Sequence, residues 1–298
     1  MEFDALDDFL SHSQRRVEQY LNSAISQRRA SGVLSQAMAY STVQGGKRVR
    51  AALVYGAARA CGIDHACLDP LAAAVEALHA YSLIHDDLPA MDDDALRRGQ
   101  PSCHMAFDEA TAILAGDALQ ALAFELVAQA HGPQLNAEQC IAMVASLAKA
   151  AGAKGMVAGQ MLDMAAEKDA VNLKQLENLH CLKTGALIVA SVEMGALAQA
   201  QVDETQLDSL REYAQAIGLA FQVQDDILDI ESDTQTLGKA QGSDVLNDKS
   251  TYPSLLGMPA AKQRLNDLHQ QAIKAVSEFG DRAQPLTWLA DFIVTRKH

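Results

Sequence analysis

SLIHDDLPAMDDD, residues 82–94, closes an apolar run that opens at Asp69-Pro70. The spacing predicts a helix over 70–87, with Asp69 as N-cap and Pro70 at the first helical position. Val75, His79, Ser82 and Asp86 recur at i, i+4, i+7 and i+11, so one face passes from apolar to ionised. Five aspartates fall between Asp86 and Asp94. A helix C-terminus already carries negative partial charge, so carboxylates gathered there call for a cation. Pro89 breaks the last turn and allows the chain to bring Asp92 back to the side of Asp86, which a straight helix would not.

The rest of the chain reads as the same kind of structure. Alanine supplies about one residue in six and aromatics only 5%. Alanine is the strongest helix former and is depleted in strands, and no period-2 runs bounded by hairpin turns occur. The expectation is an all-α, single-domain protein over residues 1–298. Helices are predicted from near Lys47 (after Gly45-Gly46) and over 104–130, 137–151, 155–164, 173–199, 206–231, 254–279 and 286–296. Gly99-Gln100-Pro101 and Gly132-Pro133 read as loops. The stretch 232–250 lacks periodicity, and a gap that long inside a compact domain is usually functional or mobile.

FQVQDDILD, residues 221–229, is a second acidic segment on an apolar helix. Gly218, Gln222, Asp225 and Asp229 share one face by the same spacing. Isolated carboxylates there would be costly, and all-oxygen ligands select hard ions. Mg²⁺ is favoured when waters and substrate phosphates complete its shell. The spacing of a Ca²⁺ loop is absent, as are the Glu-x-x-His pairs of a di-iron bundle.

Composition sets limits on partners. With 24 Lys plus Arg against 38 Asp plus Glu, the net charge is −14. Such a surface repels nucleic-acid phosphate and anionic lipid. The cysteines, Cys61, Cys67, Cys103, Cys140 and Cys181, are odd in number and widely spaced, which argues for free thiols in a reducing compartment. The first ten residues lack a basic, apolar leader, and no stretch reads as the ~20 apolar residues of a membrane span. A cytoplasmic protein without a membrane anchor is expected.

Taken together, DDLPAMDDDALRRG (86–99) and FQVQDDILD, with GGKRVR (45–50), HCLKTGAL (180–187) and LGKAQGSD (237–244), resemble the trans-isoprenyl diphosphate synthases. The likeness covers roughly residues 40–255 and is nearest to the bacterial farnesyl diphosphate synthases, or geranyltranstransferases. It implies an isoprenoid-synthase helical bundle around a central apolar cavity. It also implies a prenyltransferase that joins isopentenyl diphosphate head-to-tail to an allylic diphosphate by ionisation, condensation and elimination.

What the resemblance implies for each residue follows the order of those steps. Asp86, Asp92 and Asp225 would bind Mg²⁺ directly, supported by Asp87, Asp226 and Asp229, with three ions per site and Mn²⁺ as a substitute. Lys183, Lys239 and Arg97 would contact the allylic diphosphate, with Lys249 added to the substrate-binding set. Lys47, Arg50, His79 and Arg98 would hold isopentenyl diphosphate, where Arg offers a fork and Lys a point charge. Thr184 and Gln222 would lie near the cation. The departing diphosphate would take the proton. Tyr81, about 7.5 Å below Asp86 along the helix, and the small Ser82 would set the chain length at C15.

Other readings remain at this point. A geranyl or geranylgeranyl diphosphate synthase differs only in pocket depth. A class I terpene cyclase would carry a different second motif. A non-catalytic synthase subunit would lack an aspartate motif, and a metal-buffering bundle would not need the basic motifs. The resemblance implies a homodimer. The C-terminal Arg296-Lys297-His298 and the stretch 232–250 are candidates to close over substrate.

Overall fold

The computed structural model describes residues 5–27, 32–43, 45–166, 171–231 and 250–296. The helix read from the opening stretch is α4 in chain order, Asp69–Asp86. Pro70 through Leu78 are buried without exception, so this helix forms the axis of the bundle. Ahead of it run α1 (Leu6–Gln27), α2 (Gly32–Val43) and α3 (Val49–Ala60). The sequence reading placed no helix over 6–43. Yet Phe9, Ser13, Val17, Leu21 and Ala24 of α1 are buried at helical spacing.

After α4 come the short α5 (Cys103–Ala106), then α6 (Glu109–Gln129), α7 (Ala137–Ala151), α8 (Met156–Ala166) and α9 (Leu173–His180). One π-helical turn, Cys181–Gly185, leads without a break into α10 (Ala186–Leu197), and α11 spans Glu204–Glu231. Three helices close the chain: α12 (Tyr252–Leu256), α13 (Met258–Val276) and α14 (Gln284–Thr295).

Three boundaries differ from expectation, each for a local reason. The expected helix 104–130 is split at Phe107, because Asp108 takes extended geometry and caps α6 through the Thr111 N–H at 2.8 Å. The expected helix 254–279 breaks at Gly257, whose φ of +80° no helix admits. The helix expected from Lys47 starts at Val49, because Arg48 is left-handed. Asp69, expected as an N-cap, is instead the first residue of α4, its carboxylate turned to Arg16 and the Tyr55 hydroxyl. Asn136 and Asn172 form capping boxes with Gln139 and Gln175.

Among the described residues the only strands are Leu96–Arg97 and Gln100–Pro101, an antiparallel pair. Arg98 and Gly99 both have positive φ, the requirement of a tight two-residue hairpin. The loop expected at 99–101 is therefore half strand.

Small residues set the packing distances. The Gly195 backbone on α10 lies so close to α3 that a Cβ there would sit 2.3 Å from the Val54 carbonyl oxygen. Two stretches, Glu109–Gln129 and Ala137–Ala166, have the length and mean hydropathy of a membrane span, contrary to the sequence expectation. The first packs along α4, and the second is interrupted by a turn over 152–155. Gly195→Ala is expected to cost about 1–3 kcal/mol through overpacking against backbone. Urea denaturation checks this, and an unchanged midpoint would show that α3 and α10 can separate freely.

Candidate active site

α4 ends in a reversal held by backbone hydrogen bonds. The Asp92 N–H donates to the Asp86 carbonyl at 2.9 Å, and the Met91 N–H to that of Leu88 at 2.8 Å. Asp93 takes the left-handed conformation that such a reversal needs. Asp92 therefore returns to Asp86, as Pro89 led us to expect. Burial is the main reason that the Asp86 carboxyl is pushed up to about 6; Lys183 opposes the shift and Asp92 adds to it.

Below Asp86 lies a cavity of about 600 Å³. Tyr81, Ser82, Met156, Met164 and Leu187 line it, and Lys183 and Thr184 stand at its wall. Tyr81 packs edge-on to His85 with centroids 5.1 Å apart. The π turn carries Lys183 and Thr184 to this wall, since one extra residue in the turn re-aims the side chains.

A second pocket, of about 270 Å³, is cationic. Lys47, Arg48, Arg50, Arg98 and Arg296 line it, together with His79 and Phe292. Arg50 and His79 line both cavities, so the two are contiguous. Lys47 sits over the Phe292 ring at 4.5 Å. Arg98 donates to the Gly45 carbonyl at 2.6 Å, which locks the glycine turn onto the hairpin. Burial and the surrounding arginines push the His79 imidazole far below its ordinary range. It is therefore neutral near pH 7, a hydrogen-bonding group and not a further cation.

One acid organises these cations. Glu76 is buried, accepts the Ala51 N–H at 3.0 Å and lies 3.6 Å from an Arg48 nitrogen. Arg48 also reaches Glu18 at 3.3 Å and the Thr42 carbonyl at 2.5 Å, so it serves as scaffold, leaving Arg50 to face the pocket. The signal for Glu76 was present as a lone acid inside the apolar run Leu71–Leu78.

Several expected site residues turn to internal partners. Arg97 clamps Asp87 and reaches Asp94 at 3.3 Å, so these residues brace one another. Lys183 is paired with Asp163, which sequence reasoning had not singled out. Asp225 pairs with Arg296 at 2.5 Å, and the same guanidinium stacks on Phe221 at 3.8 Å. The C-terminal helix thus delivers Arg296 between α11 and the cationic pocket. Asp226 is buried and accepts the Tyr252 N–H at 2.8 Å, which anchors α12. Gln222 and Asp229 are half-buried on α11, and Gln222 lines neither of these two cavities. Lys239, Lys249, Lys297 and His298 and the stretch 232–249 lie outside the described residues.

The donor set fits a hard divalent ion. Two carboxylates converge at the end of α4, and the raised Asp86 carboxyl marks a place where positive charge is wanted. Among the described residues no three His, Cys, Asp or Glu side chains form a ready cage. That suits an ion such as Mg²⁺, which keeps waters and takes phosphate oxygens.

A family model for polyprenyl synthetases matches residues 31–284. The chain belongs to this family. It is 51% identical over 265 residues to a farnesyl diphosphate synthase of Haemophilus influenzae, covering 89% of each. It is 51% identical to the farnesyl diphosphate synthase of Escherichia coli K12, covering 88% of each. A solved geranyltransferase from Legionella pneumophila superposes with a TM-score of 0.88 at 40% identity, covering 98% of this chain and 97% of the other. The isoprenoid-synthase architecture expected from the motifs is the architecture observed.

A buried acid with a raised pKa binds its proton in the folded state before the unfolded state does. Its contribution to stability is therefore present at low pH and lost as pH rises toward about 6. In chelated buffer, Asp86→Asn is expected to raise the thermal midpoint above about pH 7 and to flatten its decline as pH rises through about 6. A mutant curve parallel to wild type would refute the assignment.

Proposed function

We propose that this chain condenses isopentenyl diphosphate with dimethylallyl diphosphate and then with geranyl diphosphate, giving (E,E)-farnesyl diphosphate. The observation that carries the reading is the pair of contiguous cavities: one is cationic, and the other is apolar with aspartates at its rim. A homoallylic diphosphate suits the first, where Lys47, Arg50 and Arg98 supply charge and neutral His79 a hydrogen bond. The allylic chain suits the second, with its diphosphate at Asp86.

Asp86, Asp92 and Asp225 would hold Mg²⁺, whose bound form supplies charge neutralisation at the leaving diphosphate. Asp87 and Asp226 support this through their own partners, Arg97 and the Tyr252 backbone, and Asp229 lies one turn beyond Asp225. Lys183 neutralises the same leaving group, with Arg97, Lys239 and Lys249 as further basic contacts. Thr184 presents its dipole to the cavity, and Gln222, one turn before Asp225 on α11, is the second polar group assigned to the cation. The methionine and leucine walls exclude water that would quench a carbocation.

Two of the first-named relatives act on farnesyl diphosphate chemistry by their names, which supports the C15 product. Tyr81 at the cavity wall acts as the length gate, with small Ser82 beside it. We assign the protein to the cytoplasm, in keeping with five free cysteines.

The active form is a homodimer built on the outer faces of α6 to α8. Leu114, Ile141 and Leu162 are exposed there, Ile141 at 69%. α7 has Glu138 in its first turn and Lys149 in its last. Antiparallel pairing of α7 with its own copy sets each acid beside the partner copy's base, which is the self-complementarity a two-fold interface needs.

Incubation with Mg²⁺, isopentenyl diphosphate and dimethylallyl diphosphate should yield C15 as the main product. No condensation would refute the reading, and a dominant C10 or C20 product would remove the length claim alone. Tyr81→Ala should lengthen the products, and unchanged lengths would exclude the gate. Ile141→Asp should shift the mass measured by light scattering from dimer toward monomer.

A further inference from the structure

Helix α8 carries none of the residues assigned to the diphosphates or the metal, yet it holds the Lys183 segment at two points four residues apart, hence on one face. At Gly159 the two backbones touch. A Cβ there would lie 2.2 Å from the Lys183 nitrogen and 2.5 Å from its Cα. One turn further along, the Asp163 carboxylate forms an ion pair with the Lys183 ammonium. Both side chains are largely withdrawn from water, Lys183 at 25% and Asp163 at 19% exposure.

The rest of the cavity wall makes this contact specific. Lys183 belongs to a π turn, and the Gly218 backbone presses on that turn from α11, 3.1 Å from the Gly185 Cα if a Cβ were present. The segment is thus fixed from two sides. Its lysine stem would still rotate freely without a partner, since a long side chain retains several rotamers. Asp163 is the side chain recorded as the ion-pair partner of Lys183.

We propose that Asp163 is a positioning residue: it holds the Lys183 ammonium at the cavity wall, aimed for an allylic diphosphate, while Gly159 sets the backbone beneath it. The conformational entropy of the lysine is then lost on folding and not on binding substrate. Asp163 touches neither substrate nor reacting atoms and works only through Lys183. The inference rests on the reading of Lys183 as an allylic diphosphate contact.

The test is a double-mutant cycle on the full chain with Mg²⁺, comparing wild type, Asp163→Asn, Lys183→Ala and the double variant. Allylic and isopentenyl diphosphates are varied separately. Asp163→Asn should lower kcat/KM for the allylic substrate by about 10-fold, the scale of one misplaced group. KM for isopentenyl diphosphate should stay within about 2-fold, and so should the effect of Asp163→Asn in the Lys183→Ala background.

An equal loss in both backgrounds, or a lowered thermal midpoint with unchanged allylic kinetics, would overturn the positioning role while leaving Lys183 as a contact. Lys183→Ala with wild-type activity would overturn the contact and the positioning role together. If Asp163→Asn does not fold, Asp163→Glu keeps the charge but displaces it, and the same non-additivity with Lys183→Ala is required.

Discussion

The hydrogen bond from the Asp92 N–H to the Asp86 carbonyl is small, but the chemistry of the protein turns on it. It closes a reversal at the end of α4 and returns the Asp92 backbone to Asp86, whose ionised carboxyl both burial and the helix dipole oppose. The raised Asp86 carboxyl reflects that conflict. A hard cation relieves it, and the same cation can carry a diphosphate. The acidic excess of the chain therefore does not repel its substrates, because its site acids are arranged to need positive charge.

Much of the site is held ready by internal ion pairs. Glu76 gathers the arginines of the cationic pocket, Arg97 braces Asp87, Asp163 holds Lys183, and Arg296 bridges Asp225 to that pocket. Partly buried charges left alone would be costly, so Arg48, Arg97, Lys183 and Arg296 each rest on an acid. His79 makes the same point from the other side, since crowding by cations keeps it neutral.

Glycines control how closely these groups approach. Gly159 presses on the π turn and Gly195 on α3 at distances that a side chain would forbid, and Gly218 meets the π turn at a distance that leaves a side chain little room. Of the exposed apolar side chains on α6 to α8, Ile113, Val157 and Met161 line the mouth of the cavity, while Leu114, Ile141 and Leu162 do not.

The sequence by itself determined the helical class and marked the acidic and basic segments, while the role of each residue in them came from the family resemblance. Those features are local: alanine content, helical spacing, a proline beside aspartates and a Gly-Gly turn beside cations all act within a few residues. Which charges pair was not legible, because Arg48 and Arg50, or Asp225 and Asp226, are alike in type and adjacent in sequence. Only the tertiary structure decided that Arg48 is tied to Glu18, Glu76 and the Thr42 carbonyl, that Asp226 anchors α12, that Asp163 pairs with Lys183 and that Arg296 pairs with Asp225. Those contacts, the Thr42 one aside, link residues 20 to more than 70 positions apart, and they follow from helix packing distances that glycines set and no local pattern records.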